Sequence, residues 1–181
     1  MTSWARLLRR NRSGSAAVEM ALVMPLLLGL MMGSAEIGNY FMSEHRLIKA
    51  VRDGARFAAR QDFSYFPASS CGGSPDTANV VTPTQNLVKN GYLSGGSLVT
   101  AGVESSHITV TVVCTQAAGG QNMEGIYSKR GPVCGGSATS GCAQAVRVSA
   151  QVPYWPILAS FGFRGVGMQL NASSQAAVAG I

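Results

Sequence analysis

Charge is scarce in this chain. Only 12% of its 181 residues are charged, and no acidic residue precedes Glu19. Histidine occurs twice, as His45 and His107, and no two cysteines are spaced C-x-x-C. A zinc centre would lack its usual ligand pairs. No Gly-Lys-Ser/Thr run follows a strand pattern, so the abundant glycine builds no phosphate loop. Asp76, Glu104 and Glu124 lie scattered in loop-like stretches with no acid–base pairing in view. His107 falls on the polar face of a strand pattern and reads as a solvated side chain. No enzymatic activity, metal or cofactor is expected. The formal net charge of +6 invites a nucleic-acid partner, but four of the positive charges, Arg6, Arg9, Arg10 and Arg12, crowd the first fourteen residues. Without them the net charge is +2. No basic patch is interleaved with aromatics, so nucleic-acid binding is not expected.

The dominant feature is apolar. A basic, acid-free leader (residues 1–14) runs into RRNRSGSAAVEMALVMPLLLGLMMGSA, whose stretch 15–35 holds one charge, Glu19. About twenty such residues cross a bilayer as a helix. A carboxylate at the centre of a membrane helix costs on the order of 2.5–3.5 kcal/mol. Glu19 lies one turn in, where the cost is smaller but still needs a reason. Three readings are open. Glu19 stays among the lipid headgroups of a plain signal anchor. Alternatively the stretch is a secretory signal peptide ending at Gly33-Ser34-Ala35, although it is long for one and contains an acid. The third reading starts from the Gly14–Ser15 junction, from which Glu19 is the fifth residue.

Basic leader, Gly, four small or apolar residues, Glu and an apolar helix together resemble a type IV prepilin processing site. The block GSAAVEMALVMPLLLGLMMGSAEIGNYFMSEHRLIKAVRDGARFAA is similar to the TadE-like family of minor pilins and pseudopilins of tight-adherence (Flp-type) pili. The elements that carry the resemblance are Ala16 to Glu19, Pro25, Glu36 with Tyr40 and Phe41, and the small-residue and arginine run from Ala50 to Ala58. Met20 stands where many such pilins carry an aromatic residue. The resemblance implies cleavage after Gly14 by a membrane prepilin peptidase, leaving a free amine on Ser15. It implies that Glu19 is an assembly residue, a buried carboxylate that pairs with a neighbouring subunit's amine and sets axial register. It implies as partners the inner membrane, the peptidase, other pilin subunits and the assembly platform. A minor pilin would prime assembly or sit at a filament tip and contribute to adhesion. The alternative is an uncleaved, inner-membrane-anchored scaffold of the assembly machinery.

The helix is expected to outrun the membrane. Ile37, Tyr40, Phe41, Leu47, Ile48, Val51, Ala55 and Ala58 recur at three- and four-residue spacing, opposite Ser43, Arg46, Lys49, Arg52, Asp53 and Arg56. Residues 15–36 are read as the membrane and assembly helix and 37–60 as its amphipathic continuation. Pro25 is expected to kink or loosen it. Gly29, Gly33 and Gly38 form a small-residue seam of the kind that lets membrane helices approach closely; helix-tolerant glycines without a partner give the same spacing.

Residues 61–181 form the expected extracytoplasmic head. A short helix starts near Thr82, with Thr82 as cap, Pro83 in the first turn and Gln85 completing a capping box; Asn90-Gly91 ends it. Three alternating stretches, 107–114, 143–152 and 168–178, predict strands with one apolar and one polar face, as in an antiparallel sheet covered on one side. The fold class is therefore α+β: a long N-terminal helix packed on a small antiparallel sheet of about three strands. Between the last two strands, YWPILASFGFRG reads as a plug closing one end of the core, or as a partner surface. Cys71, Cys114, Cys134 and Cys142 are even in number beyond an apolar segment, which suits disulfides in an oxidising compartment. Cys134–Cys142, closing a small Gly/Ser loop, and Cys71–Cys114 are the favoured pairs; free buried thiols are the alternative. Orientation rests on these cysteines and on the resemblance, because Arg46, Lys49, Arg52, Arg56 and Arg60 follow the span as closely as the leader arginines precede it.

Overall fold

A computed structural model of the chain describes residues 14–66, 72–115, 143–161 and 167–179. One helix, α1 (Ser15–Ala59), is 45 residues long and so about 67 Å from end to end. It runs unbroken through Pro25, which supplies no N–H to the turn before it. After it come a 3-10 turn (Phe63–Tyr65), a π turn (Thr77–Val81), helix α2 (Thr82–Asn90), and strands β1 (Ile108–Thr115), β2 (Ala143–Pro153) and β3 (Gln169–Ala177). The fold is α+β, as the alternating apolar residues predicted.

The sheet is an antiparallel meander in the order β1-β2-β3. Its register follows from side-chain alternation, because a one-residue slip would turn every apolar residue to water. Val110 faces Val148 and Val112 faces Val146; Ala150 faces Ala172 and Val152 faces Leu170. All eight are buried, whereas Thr109, Arg147 and Asn171 on the other face are exposed. Met168 lies just outside β3 and is exposed rather than on the apolar face. The outer edge of β1 is paired in part by a passing segment. Gly72 N donates to Val112 O, and Val112 N donates to Gly73 O, both at 2.8 Å.

The C-terminal part of α1 lies between the sheet and α2. Its buried residues are Leu47, Ala50, Val51, Gly54, Ala55, Ala58 and Ala59. The small residues near its end admit both neighbours at close range. A Cβ on Gly54 would lie 2.5 Å from a Val88 methyl and 3.4 Å from the Thr84 methyl. The buried stripe is narrower than the periodicity predicted. Leu47, Val51, Ala55 and Ala58 are covered, but Ile37, Phe41 and Ile48 on its flank are exposed. A sheet of three strands is too narrow to wrap that flank.

The start of α2 also differs from expectation. Val81 stands at the cap position in helical conformation, so Thr82 caps nothing. The chain is already turning from Thr77, and Asp76 does the capping, accepting from Asn79 N at 2.8 Å. Aspartate is a strong cap, and it captures the helix start one turn early. Gln85 does not reach back to close a box. Its Nε2 donates instead to Ser105 O and Ile108 O, at 3.2 and 3.0 Å, tying α2 to the entry of β1. The other end of α2 is as predicted, with Gly91 left-handed at φ 74 and its N–H on Leu87 O.

Candidate functional site

The helix divides into two environments. Every residue from Gly14 to Met31 is exposed. Leu22, Leu26 and Leu30 are each at least 64% exposed, and none of the most apolar stretch is buried. Uncovered apolar surface of this extent belongs against lipid or other protein, not water. A Cβ added at Gly29, Gly33 or Gly38 would meet nothing within 4 Å, so no other part of the described chain uses that seam. Gly14 caps α1 and Ser15 is its first residue. Glu19 is exposed four residues further, on the same helix face as Ser15. Among the described residues, no side chain or backbone group pairs with Glu19. Cys71, Cys134, Cys142 and the side chain of Cys114 lie outside the described residues, so neither expected disulfide is placed.

The second environment begins at Glu36. Its carboxylate accepts three hydrogen bonds from the segment after β2. Tyr154 Oη donates to Oε1 at 2.5 Å, Ile157 N donates to Oε1 at 3.3 Å, and Leu158 N donates to Oε2 at 3.1 Å. Asn39 Nδ2 donates to the same phenol oxygen at 2.8 Å. Tyr40 meets the Tyr154 ring edge-on, centroids 5.1 Å apart. Burial and the neighbouring Glu36 carboxylate push the Tyr154 phenol above its ordinary value, which keeps it a donor. The plug reading of YWPILASFGFRG holds for Tyr154, which is buried; Trp155 and Ile157 are 68% and 59% exposed.

Glu36 thus fastens the head to α1 where the exposed apolar half ends. In the sequence, Glu36 stands out only through the TadE-like resemblance. The available signal was an acid closing an apolar run, one turn before Asn39 and Tyr40, with a second tyrosine in an uncharged segment far along the chain. His107 Nδ1 accepts from Glu104 N at 3.2 Å in a tight turn. Among the described residues no three His, Cys, Asp or Glu side chains are grouped to hold a metal ion.

The family model described as TadE-like protein matches residues 14–56. This segment is TadE-like. The match begins at the Gly14 cap, takes in the exposed apolar half and Glu36, and closes on the small-residue stripe that packs between sheet and α2. Among the described residues, one helix is long and apolar enough to span a membrane, and the match covers its apolar half. The family's closing run has a physical basis in this fold. Gly54, Ala55 and Ala58 are the close contacts, while Arg52 and Arg56 stay in solvent. No curated protein and no solved structure matches the chain.

Proposed function

We propose that the chain is a minor pilin or pseudopilin of a tight-adherence pilus, cut after Gly14 by a prepilin peptidase. Residues 1–14 are the leader and stay on the cytoplasmic side. Residues 15–36 hold the subunit in the inner membrane until assembly, 37–60 continue the helix into the head, and 61–181 form the extracytoplasmic part that reaches other subunits or a surface.

The observation that carries this reading is the bare N-terminal half of α1, apolar on every side and carrying a carboxylate that has no partner among the described residues. A helix meant only to anchor gains nothing from Glu19. In a filament the helix is surrounded by its neighbours, and a carboxylate in that low dielectric strongly favours a cation. The amine freed at Ser15 of an adjacent subunit is such a cation. Glu19→Ala should then be cleaved and stable in the membrane yet fail to support or join filaments, with Glu19→Asp intermediate because its shorter arm misplaces the charge. Sheared surface pili are fractionated from membranes, and cleavage is scored in the same samples. Normal pili carrying normal amounts of the alanine variant would remove the docking role and favour an uncleaved scaffold.

A further inference from the structure

From the position of the segment after β2, we infer that residues 154–161 form a second membrane contact: an interfacial loop that dips Trp155 and Ile157 into the headgroup–acyl boundary beside the point where α1 leaves the bilayer. The inference rests on the membrane-spanning part of the proposed function and goes beyond it.

Ser15 to Glu36 spans about 32 Å of helix, against about 30 Å for the hydrocarbon core of a bilayer. A helix that enters lipid at Ser15 therefore leaves it at Glu36. The backbone N–H groups of Ile157 and Leu158 are bonded to the Glu36 carboxylate, so the loop is held at that exit. Its sequence, YWPILASF, contains no charge, and it ends in a 3-10 turn, Ile157–Phe161, against α1. Trp155 and Ile157 are large side chains exposed at 68% and 59%.

The exposed groups at this level also encircle the helix. Ile37, Phe41 and Met42 are 60%, 53% and 58% exposed. Successive residues point about 100° apart, so Phe41 and Met42 face different directions, and the loop occupies a third. A single protein partner would cover one side. A bilayer surface meets all of them at once. Indole rings settle at this depth, with an apolar body and a polar N–H. A half-buried glutamate whose acceptors are taken by the loop is also a clamp that needs no lysine or arginine in the interface.

The test uses the full chain with Trp4→Phe, which leaves Trp155 as the only tryptophan. It is reconstituted in phosphatidylethanolamine–phosphatidylglycerol vesicles whose acyl chains carry bromine near the ester end or near the methyl end. The expected result is blue-shifted Trp155 emission, several-fold stronger quenching by the shallow bromines than by the deep ones, and protection from aqueous iodide. A companion chain with Trp4→Phe, Trp155→Phe and Leu27→Trp places its tryptophan mid-span and should be quenched best by the deep bromines. If Leu27→Trp is quenched by lipid while Trp155 is quenched by iodide alone, the interfacial loop is wrong and the span stands. If neither tryptophan is quenched by lipid, the spanning reading fails and takes the loop with it. Trp155 shielded only in assembled filaments would assign the surface to another subunit and overturn the lipid contact.

Discussion

Tyr154 donates a 2.5 Å hydrogen bond to Glu36 across 118 residues of chain. It links the last residues of the exposed apolar helix to the segment that follows β2. Ile157 N and Leu158 N bond to the same carboxylate, and the stripe from Leu47 onward holds the rest of the head to α1. Tyr154→Phe should destabilise the head by about 1.5–3 kcal/mol, the range for a hydrogen bond to a charged group. Denaturant unfolding of the detergent-solubilised chain, followed by circular dichroism, measures this. The contact should also weaken at high pH. The folded phenol titrates above the ordinary 10.0, and the unfolded one near it. Its contribution is therefore whole below about pH 10 and is lost as pH rises through the folded value. The phenylalanine variant should lack that alkaline loss. An identical alkaline fall in both proteins would show that another group is responsible.

Gly54 is expected to tolerate nothing larger. Its added Cβ would sit 2.5 Å from the methyl of Val88, a buried, branched side chain with no room to swing away. Gly54→Ala normally gains helix propensity, about 0.8–1.0 kcal/mol. Overpacking costs about 1–3 kcal/mol, so the net effect should be destabilising. Gly54→Ala combined with Val88→Ala should recover part of the loss, and a double-mutant cycle reads the coupling directly. Purely additive effects would mean that the two residues do not compete for space.

One of the two expected disulfides would join segments next to a backbone pairing at the edge of β1. Gly72 N donates to Val112 O, and Val112 N donates to Gly73 O. Cys71 therefore adjoins in sequence a residue paired two positions from Cys114. A Cys71–Cys114 bond should be recovered by peptide mapping of unreduced protein, together with Cys134–Cys142. Replacing both Cys71 and Cys114 by serine should cost about 2–4 kcal/mol. Four thiols alkylated in unfolded, unreduced protein would contradict both bonds and the oxidising compartment.

Much of this molecule was legible because its signals are periodic. The alternation Ile108, Val110, Val112 and Val146, Val148, Ala150, Val152 specified two strands and their inward face. The three- and four-residue spacing of Leu47, Val51, Ala55 and Ala58 specified the covered stripe. The exposed flank at Ile37, Phe41 and Ile48 was not legible, since periodicity reports which residues share a helix face but not how wide the covering sheet is. Nor was the cap at Asp76. Local patterns at Thr82 and Gln85 fit a capping box, but Gln85 found two carbonyls at the entry of β1, a tertiary contact no window of sequence contains. Glu36 with Tyr154 was hidden for the same reason. Each residue is ordinary in its own segment, and the chemistry lies in the pairing.

The central claim is that the Gly14–Ser15 junction is cut, because the docking charge, the freed amine and the pilin assignment all depend on it. Intact-mass spectrometry of the chain extracted from membranes reads the N-terminus directly. The account predicts a mature form beginning at Ser15, and a persistent precursor of full mass when Gly14→Val is introduced. A wild-type chain that keeps residues 1–14 in cells assembling the pilus would contradict it.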